Sequence, residues 1–185
     1  MKSILLSIKP KYVELIANGE KTIEVRKSAP KEVPFKAYIY CTKEKKQDDI
    51  MWAGVFGDRG KWNGKVIGEF ICDKVYPIKN KGSSFVVANE KQSVTNEIAG
   101  QSCLYYDDMV SYFGDKDGYG WHISDLKIYD KPRELSEFGK VGFGHEVPLK
   151  RPPQSYMYIE DLGEEGRRMS KFAVVESHFE KIQCT

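Results

Sequence analysis

Long apolar runs are missing from this 185-residue chain. No stretch approaches the roughly 18–20 apolar residues of a membrane-crossing helix. The opening "MKSILLSIKPKYVELI" is interrupted by Ser7, Lys9 and Lys11, unlike the apolar centre of a secretory signal. The chain is therefore read as cytoplasmic, with no membrane partner. Metal-ligand spacing is missing as well. Cys41, Cys72, Cys103 and Cys184 form no C-x-x-C pair, and with His122, His145 and His178 they match no zinc signature, so no metal or cofactor is expected. The glycine-rich "WAGVFGDRGKWNGK" contains neither G-x-G-x-x-G nor a P-loop, which disfavours a mononucleotide cradle there. A strong charge is lacking too: 29 Lys and Arg stand against 27 Asp and Glu, a net of +2. That balance implies no nucleic-acid partner by itself, and interest falls on local groups such as Lys43, Lys45 and Lys46, or Lys150 and Arg151.

What is present is a protein-like mixture, 41% hydrophobic and 30% charged, sufficient for one domain with a sizeable core. "SILLSI" reads as a strand. Pro10 then suits the first turn of a helix over 10–18, and Gly19 its end, where a left-handed backbone is cheap for glycine. "KTIEVRK" alternates: Ile23 and Val25 are expected to face the core, leaving Thr22, Glu24 and Arg26 on a polar face. "FKAYIYCT", a long "KVIGEFICDKVYPI" with a bulge or bend at Gly68, "WHISDLKIYD" and "SYMYIE" complete the strands. "LYYDDMVSYFG" predicts a short helix, and the stripe Met169, Phe172, Val175, Phe179 and Ile182 a terminal one. The order of elements does not suit a doubly wound sheet. It suits an α+β fold, a mixed or antiparallel β-barrel with flanking helices, forming one domain over 1–185 with insertions near 79–102 and 132–153.

"SIKPKYVELIANGEKTIEVRK" resembles the opening of ASCH domains, a branch of the PUA-like superfamily. Ser7-x-Lys9-Pro10, a helix, and Gly19-x-Lys21-Thr22-x-Glu24-x-Arg26 occur in that order. "GYGWHISDLKIYDKPRELSEF" and "LKRPPQSYMYIE" are similar to later blocks of bacterial and phage members. The resemblance implies a PUA-like barrel and RNA or a modified nucleoside bound in a cleft beside the first helix. One ASCH group, the N(4)-acetylcytidine amidohydrolases, carries G-x-K-T-x-T-x-R, with the lysine, second threonine and a later glutamate as its catalytic set. Here Gly19, Lys21, Thr22 and Arg26 match, whereas Glu24 replaces the threonine and cannot serve as a hydroxyl nucleophile. Glu90, Glu97, Asp107 and Asp108 lie where the later glutamate is sought, without a motif around them.

The expected function is thus an RNA- or nucleotide-binding module, with a hydrolase acting on a modified nucleoside as the alternative. In the second reading Lys21 is the catalytic group, neutral if burial lowers its pKa. The binding candidates are Ser7, Lys9, Lys21, Thr22, Glu24, Arg26, Trp62, His122 and Arg151. Arg26 offers a planar fork to phosphate or guanine, and Glu24 an acceptor for an amino group. Ser7 and Lys9 sit before a helix start, which favours anions. Trp52 and Trp62 are either stacking surfaces or lids on the core, and His122 either lines the cleft or is structural. Arg151 is presented by the stiff Pro152-Pro153, or belongs to a plain edge connection.

Overall fold

A computed structural model describes residues 1–43, 62–142, 147–163 and 172–173. Its order is β1 (Lys2–Ile8), α1 (Pro10–Ala17), β2 (Ile23–Arg26), β3 (Phe35–Cys41), β4 (Val66–Cys72), β5 (Val75–Asn80), β6 (Phe85–Val87), α2 (Gln92–Gln101), α3 (Tyr106–Phe113), β7 (Gly118–His122), β8 (Ser124–Arg133), β9 (Tyr156–Ile159) and β10 (Phe172–Ala173). Among these residues the strands form two sheets, β10-β8-β4-β3-β1-β9 and β2-β7-β5-β6, and no closed barrel. Among the described strands only the β1–β3 pairing is parallel.

Two expected strands account for the difference. "KVIGEFICDKVYPI" breaks at Asp73–Lys74, and "WHISDLKIYD" at Ile123. Each therefore contributes its two halves to different sheets: β4 pairs with β8 in the first, β5 with β7 in the second. The chain passes between the sheets four times, two of them at these breaks, instead of coiling round one ring.

The first sheet buries both faces. Ile4, Leu6 and Ile8 meet Val13 and Ile16 of α1, while Leu5, Tyr38 and Tyr40 face Phe138 and Leu149 from the long connection after β8. The second sheet has Ile23, Val25 and Ile78 packed with Ile98 of α2 and Met109 and Phe113 of α3. Residues 79–102, expected to be an excursion, thus supply β6 and α2, and α2 closes a core. Their polar composition hid the helix: Thr95 and Ile98 are buried, but few other residues mark the stripe. The expected terminal helix differs at Phe172–Ala173, which extend β8's edge as a strand. The rest of that segment, with Trp52, Arg59, Lys45 and Lys46, lies outside the described residues. Among the described residues no helix is long and apolar enough to cross a membrane.

Gly68 lies in β4 between register shifts. A Cβ there would stand 2.4 Å from the backbone oxygen of Lys127. Backbone cannot rotate aside as a side chain does, so Gly68→Ala is expected to force β4 from β8 and cost about 1–3 kcal/mol of stability, measured by urea unfolding.

Candidate functional site

Arg26, Glu24 and Lys21 come together because β2 is sandwiched. Glu24 pairs in register with Trp121 and Arg26 with Tyr119, so their side chains share the face that looks toward the first sheet. Ile23 and Val25 look the other way, into the helical core. All four β2 residues are buried. The polar face expected to line a cleft is therefore enclosed at Glu24 and Arg26, and Lys21, ordinarily an exposed type, is only 2% accessible.

Such burial requires compensation. Glu24 provides it: its Oε1 lies 2.8 Å from Arg26 Nη2 and its Oε2 3.5 Å from Lys21 Nζ. Backbone oxygens complete the shell. Lys21 Nζ donates to Ile23 O at 2.8 Å and Ser102 O at 2.5 Å, and Arg26 Nη2 donates to Ser7 O at 2.7 Å. Ser102 caps the C-terminal end of α2, so Lys21 places a cation where the helix carbonyls concentrate negative charge. The Tyr12 ring of α1 lies 5.4 Å from Lys21 Nζ and, half-buried, covers it.

Two cations against one carboxylate leave the cluster at +1 if all are ionised. Burial lowers the Lys21 pKa, and the Glu24 carboxylate only partly restores it. The Tyr12 hydroxyl is raised by burial and by the charges of Asp108 and Glu24. Because the native Lys21 pKa lies below the unfolded value of 10.5, the unfolded chain binds more protons in the interval between them. Stability must rise with pH there. The expected result is a wild type that gains stability relative to Lys21→Met as pH climbs toward 10.5, in urea titrations at stepped pH; a parallel offset would refute it.

Two further donors matter. Arg26 Nε and Trp121 Nε1 are buried and make no hydrogen bond. Glu24 and Arg26 lie on Trp121's face of the sheet. Orphaned buried N–H groups cost about 1–3 kcal/mol each, so native folds rarely keep them without a use.

The remaining candidates are placed as follows. Ser7 is buried; its backbone oxygen holds Arg26 and its hydroxyl donates to Pro153 O at 2.7 Å. Ser155 Oγ lies 3.5 Å from Arg26 Nη1. Thr22 is half-buried, with its N–H bonded to Gln101 O. Lys9 is exposed at the start of α1, where it makes no side-chain cap. Trp62 packs partly buried against the main core. His122 pairs in register with Ile23, which puts it on the opposite face from Glu24; its Nδ1 lies 2.6 Å from Asp73 Oδ1. Arg151 is exposed. Of the acids sought after residue 89, Glu90, Glu97 and Asp107 are exposed, and Asp108 is the one whose charge reaches Tyr12. Tyr12 and the Ser102 carbonyl were not foreseen: Tyr12 reads as one more stripe residue, and a backbone oxygen eighty-one positions away leaves no mark in sequence. Among the described residues no three His, Cys, Asp or Glu side chains gather as metal ligands would.

The ASCH domain model matches residues 6–98, which include every member of the cluster on β1, α1 and β2. The crystal structure of ASCH from Zymomonas mobilis resembles the fold with a TM-score of 0.61 at 16% identity, over 92% of this chain and 96% of that one. A tyrosine-to-phenylalanine variant of the Zymomonas protein gives 0.58 at 16%, over 92% and 100%, and a serine-to-alanine variant 0.60 at 15%, over 92% and 97%. At such identities the likeness is one of fold. No curated protein matches the sequence.

Proposed function

This chain belongs to the ASCH domain family, and on that premise we propose that it binds RNA or a nucleotide by taking one base against Lys21, Glu24 and Arg26. The observation that carries the reading is the pair of unsatisfied donors, Arg26 Nε and Trp121 Nε1, on the face that also holds Glu24. Donors beside a carboxylate complement an edge that presents acceptors beside an amino group, as cytosine does with O2, N3 and N4. The burial of the cations argues for a base and against a phosphate backbone, which needs exposed charge. Tyr12, as cover, is the side chain that must turn for the base to enter.

The test is a titration of fluorescein-labelled single-stranded RNA, with cytidine as competitor, at rising salt. A base-centred site gives competition by cytidine and a shallow salt dependence. Binding that no nucleoside displaces, and that Lys21→Ala and Arg26→Ala both leave unchanged, overturns the reading.

One observation favours the second reading, hydrolysis of an N-acylated nucleoside: burial lowers the Lys21 pKa and so enlarges its neutral, proton-accepting fraction. Glu24, incapable of acting as a hydroxyl nucleophile, would then activate water. Incubation with N(4)-acetylcytidine should release cytidine and acetate on chromatography. Absence of product at micromolar enzyme overnight removes this reading and leaves the first intact.

A further inference from the structure

The face of the first sheet opposite α1 holds a cavity of about 570 Å³, within the roughly 300–1,000 Å³ of small-molecule sites. Tyr40 is part of its lining and is itself buried, its hydroxyl raised in pKa by burial and by nearby negative charge. Leu135, Leu149 and Pro152 supply apolar walls, and Thr42 and Ser136 hydroxyls. Two cations, Lys43 and Lys150, stand exposed on the lining. The one acid among the lining residues, Glu134, is paired with Lys65 and so does not cancel them.

Lys43 is placed by backbone. Gly64, also in the lining, has φ +76°, and a Cβ there would meet Lys43 Cε at 2.4 Å and Cγ at 2.8 Å. The lysine stem thus lies flat along a glycine that has no side chain to displace it. Gly64 is itself anchored, its N–H donating to Cys41 O at 3.0 Å.

We propose that this cavity is a second site, which takes a nucleoside monophosphate: the base against Leu135, Leu149 and Pro152, the phosphate between Lys43 and Lys150. An open cleft with apolar walls and two exposed cations at its lining suits a ligand with one flat apolar part and one dianionic end. The site is separate from the Lys21 cluster and rests on its own lining. The two are nevertheless joined, because Ser7 accepts from Arg26 through its carbonyl and donates to Pro153, the neighbour of Pro152, through its hydroxyl.

Calorimetric titration of the full chain with AMP, adenosine and inorganic phosphate tests this. AMP should bind, and the Lys43→Ala, Lys150→Ala double variant should weaken it about tenfold or more, the loss expected for charge-assisted contacts. Both lysines are exposed, so the variant should fold as the wild type does, checked by circular dichroism. Lys21→Met should leave AMP affinity within about twofold. Adenosine should bind much more weakly than AMP. The proposal is overturned if AMP gives no heat at millimolar concentration, if the double variant binds it as the wild type does, or if phosphate alone binds as well as AMP. AMP affinity lost in Lys21→Met and retained in the double variant would assign the nucleotide to the β2 cluster and equally refute the second site.

Discussion

Glu24→Ala should lower the unfolding free energy by about 3–5 kcal/mol, the largest stability effect expected of any single change on β2. Glu24 is 5% exposed and is the carboxylate that stands against both Lys21 and Arg26. Removing it leaves two buried cations side by side with no carboxylate to offset their charge. Glu24→Gln separates charge from packing. It keeps oxygen and volume but not the negative charge, so its cost should fall well below that of alanine while remaining measurable. Urea unfolding followed by tryptophan fluorescence gives both numbers. A loss below about 1 kcal/mol for alanine would mean that the cluster is hydrated, since exposed pairs are worth only about that much.

Lys21→Met should have the largest functional effect, a fall of about a hundredfold in affinity for cytidine or single-stranded RNA, as loss of a buried charge-assisted contact predicts. Its stability cost should be the smaller of the two. Glu24 keeps Arg26 at 2.8 Å, and the desolvation that lowers the Lys21 pKa disappears with the charge. Against that gain stand two carbonyls, Ile23 O and Ser102 O, which lose their donor. This second contact also allows a purely structural Lys21, a clamp on the end of α2. Hydrogen exchange separates the roles. A clamp alone predicts faster exchange over the last turn of α2 with ligand affinity unchanged; a ligand contact predicts that affinity falls even where α2 remains protected.

Legibility varied with how local the controlling physics was. β1, α1 and the reversal at Gly19 follow from nearby residues: a proline at the first helical position, and a glycine at φ +76° after the helix. The bend at Gly68 was equally readable, because a glycine inside an apolar strand signals close backbone approach. The grouping of Lys21, Glu24 and Arg26 on one face was visible in the two-residue period, but its burial was not. Whether a polar strand face is wet depends on what covers it, and here the cover is the other sheet and Tyr12, with Trp121 beside Glu24 on β7, all supplied from elsewhere in the chain. The same limit explains His122, whose face was fixed by its register against Ile23. It also explains the two sheets, since the breaks at Asp73–Lys74 and Ile123 fall in stretches that alternate like continuous strands. Helix α2, polar along most of its length, is held by Lys21 and by Thr22, whose N–H bonds Gln101 O, and neither contact is local.

On the proposed reading, the buried face of β2 receives a base through donors the fold itself leaves unused. The most direct measurement is a ¹H–¹⁵N spectrum of the Arg26 Nε–H and Trp121 indole N–H signals, assigned by Arg26→Lys and Trp121→Phe, during titration with cytidine or a short single-stranded RNA. Both signals should move downfield together and saturate with the same dissociation constant as the anisotropy titration. Signals that stay fixed while the RNA binds would show that the ligand lies elsewhere and that the Lys21–Glu24–Arg26 cluster only holds the two sheets together.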